Sequence, residues 1–190
     1  TKKVKSEAAN AKNLDQAGDV KIVIDGGTLT VDAEGDGLDA NGSIEINGGI
    51  IVVNGPTSGA NAALDYDDNG TLNGGTVLFV DNGQMTMGFG SDSNQAYLMA
   101  SIQGTAGSTV EVIDSSGKTV ASLKASKSFS TVLISSQDIK EGEKYTIKVG
   151  SNTTTATASK QAVNVGGGPG KGGPGGGQPG QGGPGGRQGR

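Results

Sequence analysis

The feature that most constrains the fold of this chain is a segment that occurs three times, with the pattern apolar residue, Asn or Asp, Gly, Gly and then a β-strand. The three copies are Ile24–Val31, Ile46–Val53 and Leu72–Phe79. Successive copies are 22 and then 26 residues apart, within the range of solenoid repeats. A chain with this period is expected to stack copies of one small unit.

A second element repeats in step with the first. Asp36–Gly42 corresponds to Ala63–Asp67, with a fainter copy at Asn13–Asp15. Leu38 and Leu64 each stand eight residues before the next copy of the first element. The alternation of apolar residues between Gly, Asn and Asp turns predicts two or three short strands per repeat. The pattern therefore predicts a short parallel β-helix, with one coil per repeat and coils about 4.8 Å apart. A β-sandwich with glycine-rich hairpins is the alternative, but it does not explain the paired repeats.

The pattern changes from about Ala100 onwards to alternating strands joined by short turns. The expected strands are Thr109–Asp114, Thr119–Leu123, Phe129–Ile134 and Lys144–Val149. Such strands are typical of an antiparallel β cap or small β subdomain, which would cover the open edge of the last coil. We therefore divide the chain into an N-terminal arm (1–12), a parallel β-helix (13–99), a β cap or subdomain (100–158) and a tail rich in Gly and Pro (159–190).

The tail contains a proline at every fifth position from Pro169 to Pro184, among glycines and almost no apolar residues. A segment with nothing to bury is expected to be disordered or extended in isolation. Collagen is a poor alternative, because glycine at every third position fails at Pro179.

Residue types that are missing from the chain exclude several classes of function. There is no cysteine and no histidine, which removes disulfides, thiolate metal sites, cysteine nucleophiles and the commonest general base and zinc ligand. No apolar run approaches the roughly 18 residues that a membrane span needs. The chain begins at Thr1 without an initiator Met, so we expect a processed, exported protein, secreted or held at the cell surface.

Acidic and basic residues are segregated along the chain. The stretch from Ile22 to Gly117 has thirteen Asp and Glu residues and neither Lys nor Arg. Nucleic-acid binding requires a basic surface, so this stretch is expected to repel nucleic acid and to attract cations. A calcium-assisted polysaccharide lyase would need a Lys or Arg base within reach of its substrate, and the repeats offer none after Lys21. We therefore expect binding without catalysis.

Four aspartates are the candidate metal ligands. They are Asp36, Asp39, Asp65 and Asp67, which we call the acidic row. The repeat places Asp39 and Asp65 at equivalent points of neighbouring coils, about one strand spacing apart. Calcium takes carboxylate oxygens at about 2.3–2.6 Å, so an ion between stacked aspartates suits this spacing. The alternative is that these residues only form turns, which Asp favours.

Tyr66, between two aspartates of the acidic row, is the candidate ligand-binding residue. Its ring could stack on a sugar or fill a corner of the coil, and the chain has no Trp to build a flat aromatic platform. Asp25, Asn47 and Asn73 are expected to stack at the Gly-Gly corner as a structural amide ladder.

Several motifs, in order, resemble a known family. The upstream ones are Gly35–Gly42, Asn47–Gly49, Asn54–Gly59 and Ala63–Asp67, and the downstream ones are Lys127–Val132, Ser135–Lys140 and Gly142–Thr146. Over roughly residues 13–150 they resemble the bacterial carbohydrate-binding domain-containing β-helix proteins known from clostridia, fold relatives of family 9 pectate lyases. Members usually carry more coils before the first one found in this chain.

The resemblance implies a right-handed β-helix with bound calcium, outside the cell, that binds cellulose-like or acidic polysaccharide without cleaving it. Calcium ligands would by analogy fall on Asp36, Asp39, Asp65 and Asp67. The alternative function is that of a structural subunit in a self-assembling extracellular fibre or matrix. Self-association would then use the open first coil or the Gly/Pro tail, because an open sheet edge can accept another strand.

Overall fold

The computed structural model of the chain describes residues 5–7 and 20–161, and this part is all-β, with fifteen strands and no helix. The strands of the acidic half are β1 (Lys5–Glu7), β2 (Lys21–Ile24), β3 (Thr28–Asp32), β4 (Leu38–Ala40), β5 (Ser43–Ile46), β6 (Ile50–Asn54), β7 (Leu64–Tyr66), β8 (Gly70–Leu72) and β9 (Thr76–Asp81). The remaining strands are β10 (Leu98–Gly104), β11 (Thr109–Ile113), β12 (Thr119–Lys124), β13 (Phe129–Ser135), β14 (Lys144–Val149) and β15 (Asn152–Thr157).

Strands β2 to β9 pair in parallel, always with the strand one repeat further along the chain. The ladders are β2-β5-β8, β3-β6-β9 and β4-β7. The register aligns Ile24 with Ile46 and Ile46 with Leu72, and it aligns Leu38 with Leu64. Residues at equivalent places in the sequence elements are therefore direct neighbours across the ladders.

Side chains that alternate along these strands build a buried apolar interior, because successive residues of a strand point to opposite faces. Ile44, Ile46, Ile51, Leu72 and Val77 are fully buried in it. We call this cluster the inner core.

Glycine is needed at the corner between the first and second strands of each repeat. Gly49 has φ of +105°, and a Cβ there would lie 2.8 Å from the Gly27 carbonyl oxygen. Gly75 has the same arrangement in the next repeat, with φ of +100° and a Cβ position 2.9 Å from the Gly49 carbonyl oxygen. The Gly-Gly motif thus allows both a left-handed backbone and the close approach of successive corners.

The downstream strands form the expected antiparallel pairs and continue one of the parallel ladders. Strand β13 runs antiparallel to β9 and to β10, so one sheet has the order β10-β13-β9-β6-β3. A second sheet, β12-β11-β14-β15, is wholly antiparallel. Val52, Leu78 and Val80 of the first sheet share an outer core with Val110 and Ile147 of the second. The five-stranded sheet therefore lies between two apolar cores.

The N-terminal end of the stack is partly covered. Strand β1 pairs antiparallel with β2, whereas β3 is the terminal strand of the five-stranded sheet in the described part of the chain. The expectation of a wholly open first coil is therefore wrong for β2. The faint copy Asn13–Asp15, the rest of the arm and the tail from residue 162 lie outside the described residues. Within the described ranges, no helix is long and apolar enough to cross a membrane.

Candidate functional site

The acidic row lies along the shortest parallel ladder. Strands β4 and β7 pair with Asp39 directly opposite Asp65. Their neighbours Leu38 and Leu64 point into the inner core, so the two aspartates share the opposite, outward face. The strand spacing places their backbones about 4.8 Å apart. The structure thus brings together the two carboxylates that the repeat predicts to be neighbours.

The electrostatics of the row disfavour a negative charge on Asp39. Partial burial raises the pKa of the Asp39 carboxyl above its ordinary value, and the carboxylates of Asp36 and Asp67 raise it further. The effect of Asp36 and Asp67 shows that all three carboxylates act within one local field. A bound cation would relieve this repulsion.

Two aspartates of the row also have structural contacts, one through its carboxylate and one through its backbone. Asp36 Oδ1 accepts a hydrogen bond of 2.7 Å from the Ala62 N–H, which links the loops of two neighbouring repeats. The Asp67 N–H donates to the Ala40 carbonyl oxygen at 3.1 Å, so the ladder continues past the end of β7. These contacts agree with the turn-forming alternative, while Asp39 and Asp67 are exposed.

The row is not a closed metal site in its own right. Among residues 20–161, no group of three or more Asp or Glu side chains converges in a metal-binding geometry. The donor chemistry still suits calcium, which accepts two or three carboxylates and fills its shell with carbonyl oxygens and water.

Tyr66 packs at the corner of its repeat. Its hydroxyl donates to the Gly88 carbonyl oxygen at 2.6 Å, and its ring covers Gly70, where a Cβ would lie 2.4 Å from the ring. Burial, assisted by the charge of Asp65, raises the pKa of the phenol. Because the hydroxyl and the ring contact the chain itself, the geometry favours the corner-filling interpretation of Tyr66 over sugar stacking.

The amide ladder is present and is longer than the sequence suggests. The side-chain nitrogen of Asn47 donates to a carboxylate oxygen of Asp25 at 3.0 Å. In the same way, Asn73 donates to the side-chain oxygen of Asn47 and Asn94 donates to that of Asn73, both at 2.9 Å. The Gly-Gly motif does not follow Asn94, which explains why sequence reasoning missed it.

Two buried polar residues and one lysine were also missed. Asp81, 2% exposed, accepts hydrogen bonds from the N–H groups of Ala63 and Gly83 and from the Thr86 hydroxyl. Asn54 is fully buried at the end of β6. These contacts join loops to strands and have a structural role.

Lys127 crosses from the antiparallel part of the chain to the loop after β3. Its Nζ lies 2.8 Å from a Glu34 carboxylate oxygen and donates to the Ala33 carbonyl oxygen at 2.5 Å. The lysine is far from this loop in the sequence, so only the fold reveals the contact.

Comparison of the chain with protein-family models, with curated proteins and with solved structures gave no match. The function therefore has to be argued from the residues and the geometry of this chain alone.

Proposed function

We propose that the chain is a short right-handed parallel β-helix that binds calcium at its acidic row and, through the metal, an acidic polysaccharide, without cleaving it. Three parallel ladders support the β-helix: β2-β5-β8 and β3-β6-β9 span three repeats, and β4-β7 spans two. The direct pairing of Asp39 with Asp65 is the observation that carries the metal site. Carboxylates of a polysaccharide would complete the calcium shell, because calcium accepts six to eight oxygens and the row supplies only part of them.

The proposal includes a place outside the cell, where the protein would be secreted or held at the surface. An open site with few converging ligands corresponds to the weak end of protein calcium affinities, with dissociation constants of about 0.1–1 mM. Such a site fills where calcium is in the millimolar range. Binding without cleavage is supported by the absence of Cys and His from the sequence and by the engagement of Lys127, the lysine that reaches the acidic half of the chain from the antiparallel part, in an ion pair with Glu34 and a hydrogen bond to Ala33.

The proposal is tested by thermal unfolding in EGTA and in 5 mM calcium. We expect calcium to raise the unfolding temperature of the natural chain, because a ligand that binds only the folded state stabilises it by mass action. The shift should be lost in Asp39→Asn and in Asp65→Asn. Asp92→Asn, at an exposed loop position outside the row, is the matched control and should keep the shift.

Binding to polygalacturonate is measured on the same four proteins by affinity electrophoresis. Retardation that requires calcium and is lost with Asp39→Asn or Asp65→Asn supports the proposal. If calcium raises the unfolding temperature but polygalacturonate does not retard the protein, the metal is purely structural. If calcium does not change the unfolding temperature, the residues of the acidic row serve only to form turns.

The edge of β3 favours a second candidate function, that of a subunit in an extracellular fibre or matrix. The Ile50 N–H donates to the Gly27 carbonyl oxygen, and the Ala33 N–H donates to the Asn54 carbonyl oxygen. These two bonds lie at the two ends of the β3-β6 ladder and show that Gly27 and Ala33 direct their backbone groups towards β6. Since residues of a parallel strand alternate in the direction of their hydrogen bonds, Thr30 directs its N–H and C=O to the other edge. An added strand would bind there.

Electron microscopy and light scattering of the natural chain test this candidate. Thr30→Pro removes the edge donor while sparing the bonds to β6, so it should abolish polymers. Thr30→Val keeps the N–H and should polymerise like the natural chain. A natural chain that stays monomeric at milligram-per-millilitre concentrations would contradict the fibre.

A further inference from the structure

A polar groove lies where the parallel ladders meet the antiparallel sheet, far along the chain from the acidic row. Its walls come from the loops after β6 and β9, the end of β10, the start of β13 and the β14–β15 turn. Its volume is about 540 Å³, inside the range of about 300–1,000 Å³ that ligand sites occupy. Junctions between packed units are common places for such sites.

Among residues 20–161, no charged side chain lines the groove. The polar lining consists of amides and hydroxyls, among them Asn82, Gln103, Ser108, Ser130 and Asn152. A charged ligand would lose hydration there without finding an opposite charge. A neutral ligand rich in hydroxyl groups is suited to this lining, because amide and hydroxyl side chains offer both donors and acceptors, as sugar hydroxyls do.

The floor of the groove is apolar. Phe129 and Val149 contribute to the lining although both side chains are largely buried. Gly104 lies directly over the ring, where a Cβ would come within 2.2 Å of Phe129 Cζ. Gly104 therefore covers the ring of Phe129, and a larger residue at this position would have to displace the ring.

A β-bulge shapes the wall that carries Gln103. Ser101 pairs with Thr131 and Gly104 with Phe129, so two residues of β10, Ile102 and Gln103, oppose one residue of β13. Bulges re-aim side chains and are frequent beside binding sites. Ile102 is buried in the outer core, while Gln103 is exposed at the groove.

The walls are held in place by hydrogen bonds that cross between segments. Asn152 Nδ2 donates to the Gln103 carbonyl oxygen at 2.9 Å, and Ser130 Oγ donates to the Asn82 carbonyl oxygen at 2.6 Å. Asn82 Nδ2 donates to the Gly59 carbonyl oxygen at 2.9 Å. The groove is thus built by five segments that hydrogen bonds link to one another, which favours a preorganised site.

A smaller depression shares Asn82, Gln103 and Ser130 with the groove and extends it past Gly83 along β10 and β13. The two depressions are joined at these residues and have volumes of about 540 and 360 Å³, so together they have room for more than one sugar unit.

We propose that this groove is a second carbohydrate site, which binds an uncharged glycan chain independently of calcium. The inference extends the proposed function, since it keeps the ligand class, but it places neutral polysaccharide at a different surface from the acidic row.

Affinity electrophoresis of the full chain in EGTA, with hydroxyethyl cellulose, galactomannan or xyloglucan in the gel, tests the inference. We expect retardation by at least one of these polymers. Gln103→Ala should weaken binding about fivefold, the effect of losing one neutral hydrogen bond. Ser151→Tyr adds a ring at the exposed β14–β15 turn and should reduce binding more than tenfold by filling the groove. Gln137→Ala, an exposed glutamine outside the groove, is the matched control and should bind like the natural chain.

The two proposals fail separately in this design. Neutral binding that persists in EGTA and is lost in Ser151→Tyr supports the groove even when polygalacturonate does not bind with calcium. No retardation by any of the three neutral polymers overturns the groove and leaves the acidic row to its own test. Equal retardation of Ser151→Tyr, Gln103→Ala and the natural chain also overturns it, because the ligand would then lie elsewhere.

Discussion

The carboxyl group of Asp39 connects the acidic row to the stability of the fold. Its pKa is raised in the folded chain by burial and by Asp36 and Asp67. Between the unfolded and the folded pKa values the native state therefore binds more protons than the unfolded chain, and stability falls as the pH rises through that window. Deprotonated Asp39 is a cost to the fold at neutral pH when no cation is bound.

Asp39→Asn should consequently stabilise the chain in EGTA at pH 7. We expect a small gain of about 0.2–0.5 kcal/mol, because Asp39 is exposed and water screens its repulsion by Asp36 and Asp67. The gain should vanish below the ordinary Asp pKa of 3.8, where the carboxyl is protonated in both states. Urea unfolding at pH 7 and pH 3 measures both values. A variant that is less stable than the natural chain at pH 7 in EGTA would contradict the repulsion, and Asp92→Asn supplies the baseline.

At the scale of the strands and their corners, the sequence predicted which segments become neighbours. Apolar alternation and the Gly-Gly corners were enough to align Leu38 with Leu64 and Ile46 with Leu72, because both signals are local and repeat in register. The sequence did not predict strand β1, whose three residues have no apolar alternation. It also missed Asn94, which joins the amide ladder from a loop without the motif.

The amide ladder predicts a graded response to mutation. Asn47→Ala removes one donor and one acceptor from the ladder and breaks two bonds, whereas Asn94→Ala breaks only the terminal bond to Asn73. We expect a loss of about 1–2 kcal/mol for Asn47→Ala and about half of that for Asn94→Ala, because a net hydrogen bond contributes about 1 kcal/mol. Chemical denaturation of both variants measures the ratio. Equal losses would mean that the amides act singly and not as a ladder.

At the scale of the whole molecule, the sequence correctly predicted that residues 20–161 are all-β, with antiparallel strands after Ala100. It did not predict that β13 and β10 would extend one of the parallel ladders. Strand pairing between residues about fifty positions apart leaves no local signature in the sequence, and the alternation in β13 suits either kind of sheet. The polar groove was missed for the same reason, since five separated segments build it.

The shared sheet predicts that the two cores unfold together. Leu78 is fully buried in the outer core, and its neighbours Val77 and Phe79 belong to the inner core. Leu78→Ala should cost about 2–5 kcal/mol.

Fluorotyrosine NMR separates the two regions, because Tyr145 lies in the outer core and Tyr97 in the inner one. We expect both signals to lose intensity at one temperature in the natural chain and in Leu78→Ala. Two separate midpoints would show that the antiparallel sheet folds as an independent unit.

The antiparallel seam between β9 and β13 also limits how such a chain can change its length. A duplicated repeat placed after β9 would have to separate β9 from β13 and rebuild the outer core, since both strands contribute to it. A duplicate of β5–β7 inserted among the parallel strands would find equivalent strands to pair with in parallel on both sides. Lengthening by internal duplication is therefore tolerated only upstream of the seam, and engineered versions with more levels should be built there.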